Sequence, residues 1–212
     1  MPPARCSMKN RFLILLYAIL FFLLVFTAIT QYTERGFSVI WMSLVIGVFY
    51  LLPAILERIL GICIPPLLKY IILAFLFLGL YAGGILSFYD RYNGWDGFIH
   101  LLSGFITPVL ALSLINLLNG NPISIRMLKP GFIFVFMVLF AAGISLLWEY
   151  VEFLSDSLLG TNHLNDTLLN NGQVDIGLID TMKDLLCSQL TSLVTSFWFY
   201  RAIRKGRWLG LS

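Results

Sequence analysis

Residues 12–26, FLILLYAILFFLLVF, contain no charged side chain and show no alternation of polar and apolar positions. A strand of a membrane barrel would alternate, because its residues face lipid and the lumen in turn. A stretch that is apolar on every side is typical of a helix in the hydrocarbon core, where the helix satisfies its own backbone polar groups. The stretch therefore predicts a transmembrane helix.

The rest of the chain has the same character. Of its 212 residues, 59% are hydrophobic and only 12% are charged, which differs from the composition of soluble domains. An apolar stretch of about 20 residues is long enough to cross a hydrocarbon core. Six such stretches occur, at roughly residues 12–30, 38–56, 67–87, 97–118, 131–154 and 181–201. We therefore predict an all-α, polytopic helix bundle and treat residues 1–212 as one membrane domain.

The basic residues predict the orientation of this bundle. Eleven of the 14 lysines and arginines lie at the two termini, between spans two and three, or between spans four and five. The opposite connections hold only Arg35, Arg91 and Lys183. Since basic residues accumulate in cytoplasmic loops, both termini are predicted to be cytoplasmic.

The acidic residues show the opposite bias. Ten of the 11 acidic residues, and both histidines, fall in segments that this topology places on the extracytoplasmic side. That side also carries the one long loop, residues 155–180, which is rich in Asn, Asp and Gly. Loops of this length in compact proteins are often functional, although a solvated linker is an equally good interpretation of this one.

Polar side chains form one face on each of the last three predicted helices, because they are spaced three or four residues apart. The pairs are Asp96 and His100, Glu149 and Glu152, and Asp180 and Asp184. Ionisable groups near the membrane edge are costly if they face lipid, so these pairs are expected to face the bundle interior. We predict that they converge on one pocket.

A cluster of four or more carboxylates with one imidazole needs a counter-charge, because like charges within about 4–6 Å repel one another. A divalent cation (Mg, Mn, Ca or Zn), protons held on some of the acids, or a basic partner such as Arg91 or Lys183 could each supply it. The candidate metal ligands are Asp96, His100, Glu149, Glu152, Asp180 and Asp184, and the candidate catalytic residues are His100, Glu149 and Asp184.

Structural roles compete with these assignments. Asp96 and Asp180 lie at predicted helix starts, where a carboxylate caps free N–H groups. Trp148 fits the aromatic belt found at membrane interfaces. None of the three cysteines is placed in an extracytoplasmic loop, so no disulfide is predicted.

Several catalytic motifs are missing from the sequence. It contains no HExxH, CxxC or P-loop motif, and two histidines cannot supply a three-histidine zinc centre. Serine hydrolysis is not indicated either, because no G-x-S-x-G motif surrounds Ser103.

Four spaced motifs carry a resemblance that covers about residues 85–195. They are Tyr89-Asp90-Arg91, Asp96-x-x-x-His100 with Gly104, Trp148-Glu149-x-x-Glu152, and Asp180-Thr181-x-x-Asp184. In this order they resemble the YjdF-like family of uncharacterised bacterial inner-membrane proteins. More distantly, they are similar to VanZ-like membrane proteins, some of which are linked to glycopeptide resistance, although Glu152 stands where that pattern usually has an amide. The resemblance implies a bacterial inner-membrane protein and carries no established activity.

Three classes of function therefore remain open. The first is a divalent-metal-dependent enzyme that acts at the extracytoplasmic membrane edge on a lipid or lipid-linked substrate. The second is a small cation- or proton-coupled transporter, and the third is a binding or accessory protein without turnover. The apolar segments 110–118 and 132–140 favour a one-sided site over a path across the membrane. Membrane lipid is the expected partner, and no nucleic acid is expected.

Overall fold

The computed structural model describes residues 11–119 and 127–206, which are almost entirely helical. The chain divides into two compact units, Met1–Trp95 and Asp96–Ser212. The helices of the first unit are α1 (Arg11–Thr30), α2 (Tyr32–Arg35), α3 (Phe37–Leu60), α4 (Pro66–Leu76), which continues as a π-helix over Phe77–Ile85, and α5 (Phe88–Arg91). The second unit contains α6 (Trp95–Asn119), α7 (Pro130–Leu159), the strands β1 (Thr167–Leu168) and β2 (Val174–Asp175), and α8 (Leu178–Arg204).

Five helical segments are long and apolar enough to cross a membrane. They are Arg11–Thr30, Phe37–Leu60, Pro66–Ile85, Trp95–Ile115 and Pro130–Leu158. These segments match the first five predicted spans, and the predicted all-α polytopic membrane fold is confirmed. Helix α8, at 27 residues and about 40 Å, is long enough for the sixth span. It is less apolar than the other five segments, because acidic and hydroxyl side chains interrupt its apolar sequence.

The first unit is held together by an apolar core and two buried polar contacts. The core residues, from α1, α3, α4 and the π-helix, are Leu13, Leu20, Leu24, Ile46, Tyr50, Leu73, Tyr81 and Ile85. Within it, the Thr27 and Tyr81 hydroxyls lie 2.7 Å apart. At the turn between α3 and α4, Lys69 Nζ donates to Glu57 Oε2 at 2.8 Å, and Glu57 Oε1 accepts from the Ile64 N–H. The ion pair neutralises two buried charges and fixes the turn.

In the second unit, small residues bring the helices close together. Ser188, Ser192 and Ser196 recur every fourth residue of α8 and are buried, which is the spacing that allows close approach of membrane helices. The Ser188 hydroxyl lies 2.7 Å from the hydroxyl of Ser145 on α7. A Cβ atom added to Gly104 of α6 would overlap the Thr191 hydroxyl and the Ser188 carbonyl. Helix α8 is therefore in tight contact with both α6 and α7.

An apolar cluster joins the same three helices further along α6 and α8. Its buried residues are Ala111, Leu112, Ile115, Ile133, Met137, Phe199 and Ile203. Contacts thus progress along α6 from Gly104 to Ile115 while they progress along α8 from Ser188 to Ile203. The two helices consequently run in the same direction, and their first turns lie at the same end of the unit.

The cysteines differ from the prediction. Cys63 is disulfide-bonded and Cys187 is free, whereas Cys6 lies outside the described residues. The predicted absence of disulfides is therefore wrong. That prediction came from the expected compartment, which does not determine whether two cysteines come within bonding distance.

Candidate functional site

Three side chains meet where α6 and α8 begin. Asp96, His100 and Asp184 each offer a ligand atom, and these atoms all lie within 4.8 Å of one another. His100 Nε2 is 3.6 Å from Asp96 Oδ1. His100 and Asp184 are buried, but the Asp96 side chain is 34% exposed, so the group opens on its Asp96 side.

The helix contact described above explains this convergence. Since α6 and α8 run in parallel and touch where Gly104 meets Ser188, residues one turn earlier on each helix face one another. Those residues are His100 and Asp184. Asp96 lies one turn before His100, in the first turn of α6, where a carboxylate also interacts favourably with the helix dipole. Its favourable position at the start of the helix and its place in the site are therefore compatible.

Helix α7 contributes Glu149, which is only 4% exposed. Both of its carboxylate oxygens are buried and lack a hydrogen-bond partner among the described residues. The Thr181 hydroxyl lies beside the carboxylate, outside hydrogen-bonding geometry. Its charged neighbours are all acidic: Asp96, Glu152, Asp180 and Asp184. A buried carboxylate in such surroundings is strongly unfavourable unless something compensates its charge.

The two remaining predicted ligands lie around this centre. Glu152, one turn after Glu149, is half-buried and accepts a 2.8 Å hydrogen bond from Trp148 Nε1. It lies close enough to Glu149, Asp96 and Asp184 to interact electrostatically with each of them. Asp180 is also half-buried, with Asn165 and Lys183 as its polar neighbours. The structure thus brings all six predicted site residues into one region, three of them as a compact group, while their roles as ligands remain predictions.

The long loop is folded and attached to both neighbouring helices. Near the end of α7, the Asp156 carboxylate accepts hydrogen bonds from the Thr161 hydroxyl and from the backbone N–H groups of His163 and Leu164. Leu164 is buried against Gly177, where a Cβ atom would overlap it. Strands β1 and β2 form an antiparallel hairpin. This loop is therefore folded and held to α7 and α8, with most of its described residues exposed to solvent.

Sequence reasoning missed two features of the site. It assigned Trp148 to the aromatic belt, whereas its indole N–H binds Glu152; the four-residue spacing was the available signal. It also gave no role to Cys187, whose half-buried thiol lies near Asp184 and Asp96. A single cysteine in an apolar helix offers no signal of this kind. His163 is exposed and is not part of the compact group.

The arrangement is suited to binding a cation. In the described part of the chain, no lysine or arginine is a charged neighbour of Asp96, Glu149, Glu152 or Asp184. Carboxylates with one imidazole are ligands for Mg²⁺, Mn²⁺, Ca²⁺ or Zn²⁺.

Comparison with known proteins gives one result. No curated protein and no solved structure matches the chain. A family model described as "Predicted membrane protein (DUF2238)" matches residues 12–205, which is most of the sequence. The chain therefore belongs to this family of predicted membrane proteins.

Proposed function

We propose that the second unit binds one divalent cation through Asp96, His100 and Asp184, with Glu149 as a fourth ligand. The observation that carries this proposal is the Glu149 carboxylate, which is buried among acids with no hydrogen-bond partner in the described residues. A bound cation would compensate its charge and that of the neighbouring aspartates together. Protons on the acids would remove the repulsion, but they would leave the compact ligand group without a role.

We further propose that the bound metal serves an enzyme acting on a lipid or lipid-linked substrate, with hydrolysis as the reaction. A metal of this kind lowers the pKa of water and polarises a substrate oxygen. As ligands, Glu149 and His100, the latter 3.6 Å from Asp96, would hold the metal and position its bound water. Asp184 would hold the metal from the opposite helix.

The partly exposed side of Asp96 provides the entrance for a substrate. Exposed apolar side chains surround the same end of α7, including Tyr150, Val151, Phe153 and Leu154. A substrate with an apolar tail could therefore lie against α7 while its polar group reaches the acids. This geometry supports a lipid over a small soluble substrate.

A transport path receives less support. The hydroxyl face of α8 beyond the acids is closed, since Ser188 is 2% exposed and Ser192 and Ser196 are 0% exposed. Below these serines, the apolar cluster that contains Met137 and Phe199 fills the space between the helices. A binding protein without turnover would use the same site, so that alternative differs only in activity.

The surface of α8 supports its assignment as a sixth membrane crossing. Its serines are buried, whereas Leu186, Leu190, Val194 and Phe197 are exposed. This distribution is the reverse of a helix that faces water and is expected for one that faces lipid. With six crossings and the basic residues as described, we propose a bacterial inner-membrane protein of the YjdF-like kind, with cytoplasmic termini and an extracytoplasmic site. Labelling of either terminus from outside intact cells would contradict this topology.

Metal content tests the proposed function. The full chain is purified in detergent without chelator, and its metals are measured by inductively coupled plasma mass spectrometry. We expect close to one equivalent of a divalent metal in the wild type and a large loss in Asp184→Asn. The matched control is Asp166→Asn, the same chemical change at an exposed loop position, which should retain the metal. Equal metal content in all three proteins would refute the site.

A further inference from the structure

The hairpin in the loop after α7 presents apolar side chains at its surface. Leu168 of β1 pairs with Val174 of β2, so their side chains lie on the same face of the hairpin. These two residues and Ile176, directly after β2, are 72%, 59% and 78% exposed, respectively. Grouped apolar side chains at such exposure mark an interaction surface. The elements beside the hairpin indicate what covers this surface.

The hairpin is fixed to the start of α8 on both of its sides. Asp175 of β2 accepts a hydrogen bond at Oδ2 from the Ile179 N–H, at 2.8 Å. On the other side, Leu164 precedes β1 by three residues and is buried against Gly177. Because both outer ends of the hairpin are held at the first turn of α8, its apolar face has a defined position next to that helix.

The apolar face of the hairpin continues the exposed apolar surface of α8. Exposed side chains recur at every fourth residue of α8, which places them on one side of the helix. They are Leu178, Met182, Leu186, Leu190 and Val194. Ile176 lies two residues before Leu178, so their Cα atoms are at most about 7 Å apart. Leu158, at the end of the membrane-spanning segment of α7, is exposed as well. The hairpin therefore adjoins surfaces that face lipid.

We infer that the hairpin lies in the membrane–water interface, with Leu168, Val174 and Ile176 inserted among the lipid headgroups and the upper acyl chains. Its partner is the surface of the lipid bilayer, and insertion removes these side chains from water. The continuity with α8 favours lipid over a protein partner, because a protein bound here would have to displace lipid from the adjoining helix surface.

Charge indicates which lipids the hairpin can contact. Residues 155–182 contain no lysine or arginine, and they contain four aspartates. Interfacial segments that bind anionic lipids use basic residues for this purpose. The hairpin should therefore insert through its apolar side chains alone, without a requirement for an anionic headgroup.

Insertion of the hairpin would also position the acidic group. Asn165, in the same loop, is a polar neighbour of Asp180, so a hairpin held in the interface keeps this end of α8 at the level of the headgroups. None of the proposed metal ligands lies on the hairpin. The inference consequently goes beyond the metal site and does not depend on it.

Spin labels measure the position of the hairpin directly. The full chain, with its free Cys187 replaced by serine, is placed in phosphatidylcholine nanodiscs without reductant, and Leu168→Cys or Ile176→Cys carries a nitroxide. Power saturation compares collisions with O₂, which concentrates in lipid, and with the nickel complex NiEDDA, which stays in water. The parent without an introduced cysteine measures background labelling.

We expect the ratio of O₂ to NiEDDA collisions at positions 168 and 176 to be at least severalfold higher than in Asp166→Cys, an exposed loop control. It should approach the ratio in Leu190→Cys, on the exposed side of α8. Addition of phosphatidylglycerol to the discs should leave the ratios unchanged.

A charge placed on the apolar face provides a second test. With the label at Ile176→Cys, Leu168→Asp should lower the ratio severalfold, because a carboxylate opposes insertion. The matched control is Asn170→Asp, at an exposed position of the same loop, which should leave the ratio unchanged. An unchanged ratio in Leu168→Asp would contradict insertion through this face.

Three results in the unaltered hairpin would overturn the inference. Ratios at positions 168 and 176 equal to that of Asp166→Cys would place the hairpin in water. Low collision rates with both reagents would show that a protein surface, either a second copy or a partner, covers it. Insertion that occurs only with phosphatidylglycerol would assign the contact to headgroup charge instead of apolar burial.

Discussion

Replacing Glu149 by glutamine removes one negative charge from the centre of the acidic group and leaves the size of the side chain nearly unchanged. The carboxylate is 4% exposed and has only acids as charged neighbours. Two unit charges 4 Å apart interact by about 4 kcal/mol at an effective dielectric constant of 20. Loss of this charge should therefore weaken binding of a divalent cation at least about 100-fold, or about 3 kcal/mol. Without metal, the variant should be as stable as the wild type or more stable, because repulsion is relieved.

Thermal unfolding in detergent, with and without a chelator, measures both effects. A ligand present at 100 times its Kd stabilises a protein by about 2.7 kcal/mol, which for a chain of this size corresponds to roughly 5–10 °C in Tm. Chelation should lower the Tm of the wild type and of Asp166→Asn by this amount and leave that of Glu149→Gln unchanged. A Glu149→Gln protein that is much less stable than the wild type, combined with a wild type that does not respond to chelator, would refute the reasoning. It would instead identify Glu149 as the structural partner of a buried positive charge.

Three further predictions concern contacts within each unit. Gly104→Leu should destabilise the second unit by about 1–3 kcal/mol, because the leucine side chain would overlap α8. The control Gly143→Leu places the same side chain in open space and should be close to neutral. Unfolding in SDS measures both, and equal effects would contradict the close contact. Lys69→Met should lower the free energy of unfolding by about 3–5 kcal/mol, because it leaves Glu57 buried without its partner. Adding Glu57→Leu should restore most of the SDS unfolding midpoint. No recovery would contradict a role confined to charge pairing. Asp156→Ala should release the loop after α7 by removing three hydrogen bonds, so limited proteolysis should cleave within residues 160–177 several-fold faster, and an unchanged cleavage rate would contradict this role.

The helices were predictable because the membrane imposes a simple rule on composition. A run such as residues 12–26 has only one stable conformation in lipid, so hydropathy alone locates it. Helix α8 shows where the rule loses force. Its serines and acids lower its hydropathy, yet they are buried against α6 and α7. Composition cannot distinguish a helix that is polar toward its partners from one that is polar toward water.

Helical spacing predicted which acids share a face, but it could not show which faces meet. Asp96 and His100 are four residues apart in any helix, whereas their approach to Asp184 depends on the close contact at Gly104. A glycine in an apolar helix is a weak signal, because many membrane helices contain one. The compact three-residue group thus required the packing of the helices.

Contacts that depend on side-chain orientation were beyond the sequence. Trp148 could equally have pointed toward the membrane interface, and its hydrogen bond to Glu152, one turn further along α7, depends on the rotamers of the two side chains. The same holds for Asp156, which lies four residues after Glu152 and therefore shares its helical face. Its carboxylate instead binds the loop that follows, because free backbone N–H groups lie within reach there.

Pulsed electron paramagnetic resonance of the Mn²⁺-loaded protein tests the metal site most directly. His100 is the only histidine in the compact group, so a bound Mn²⁺ should show hyperfine coupling to one imidazole ¹⁴N. We predict this coupling in the wild type and in His163→Gln, and its loss in His100→Gln. A wild-type spectrum of Mn²⁺ with water ligands alone, unchanged in His100→Gln, would contradict the proposed site.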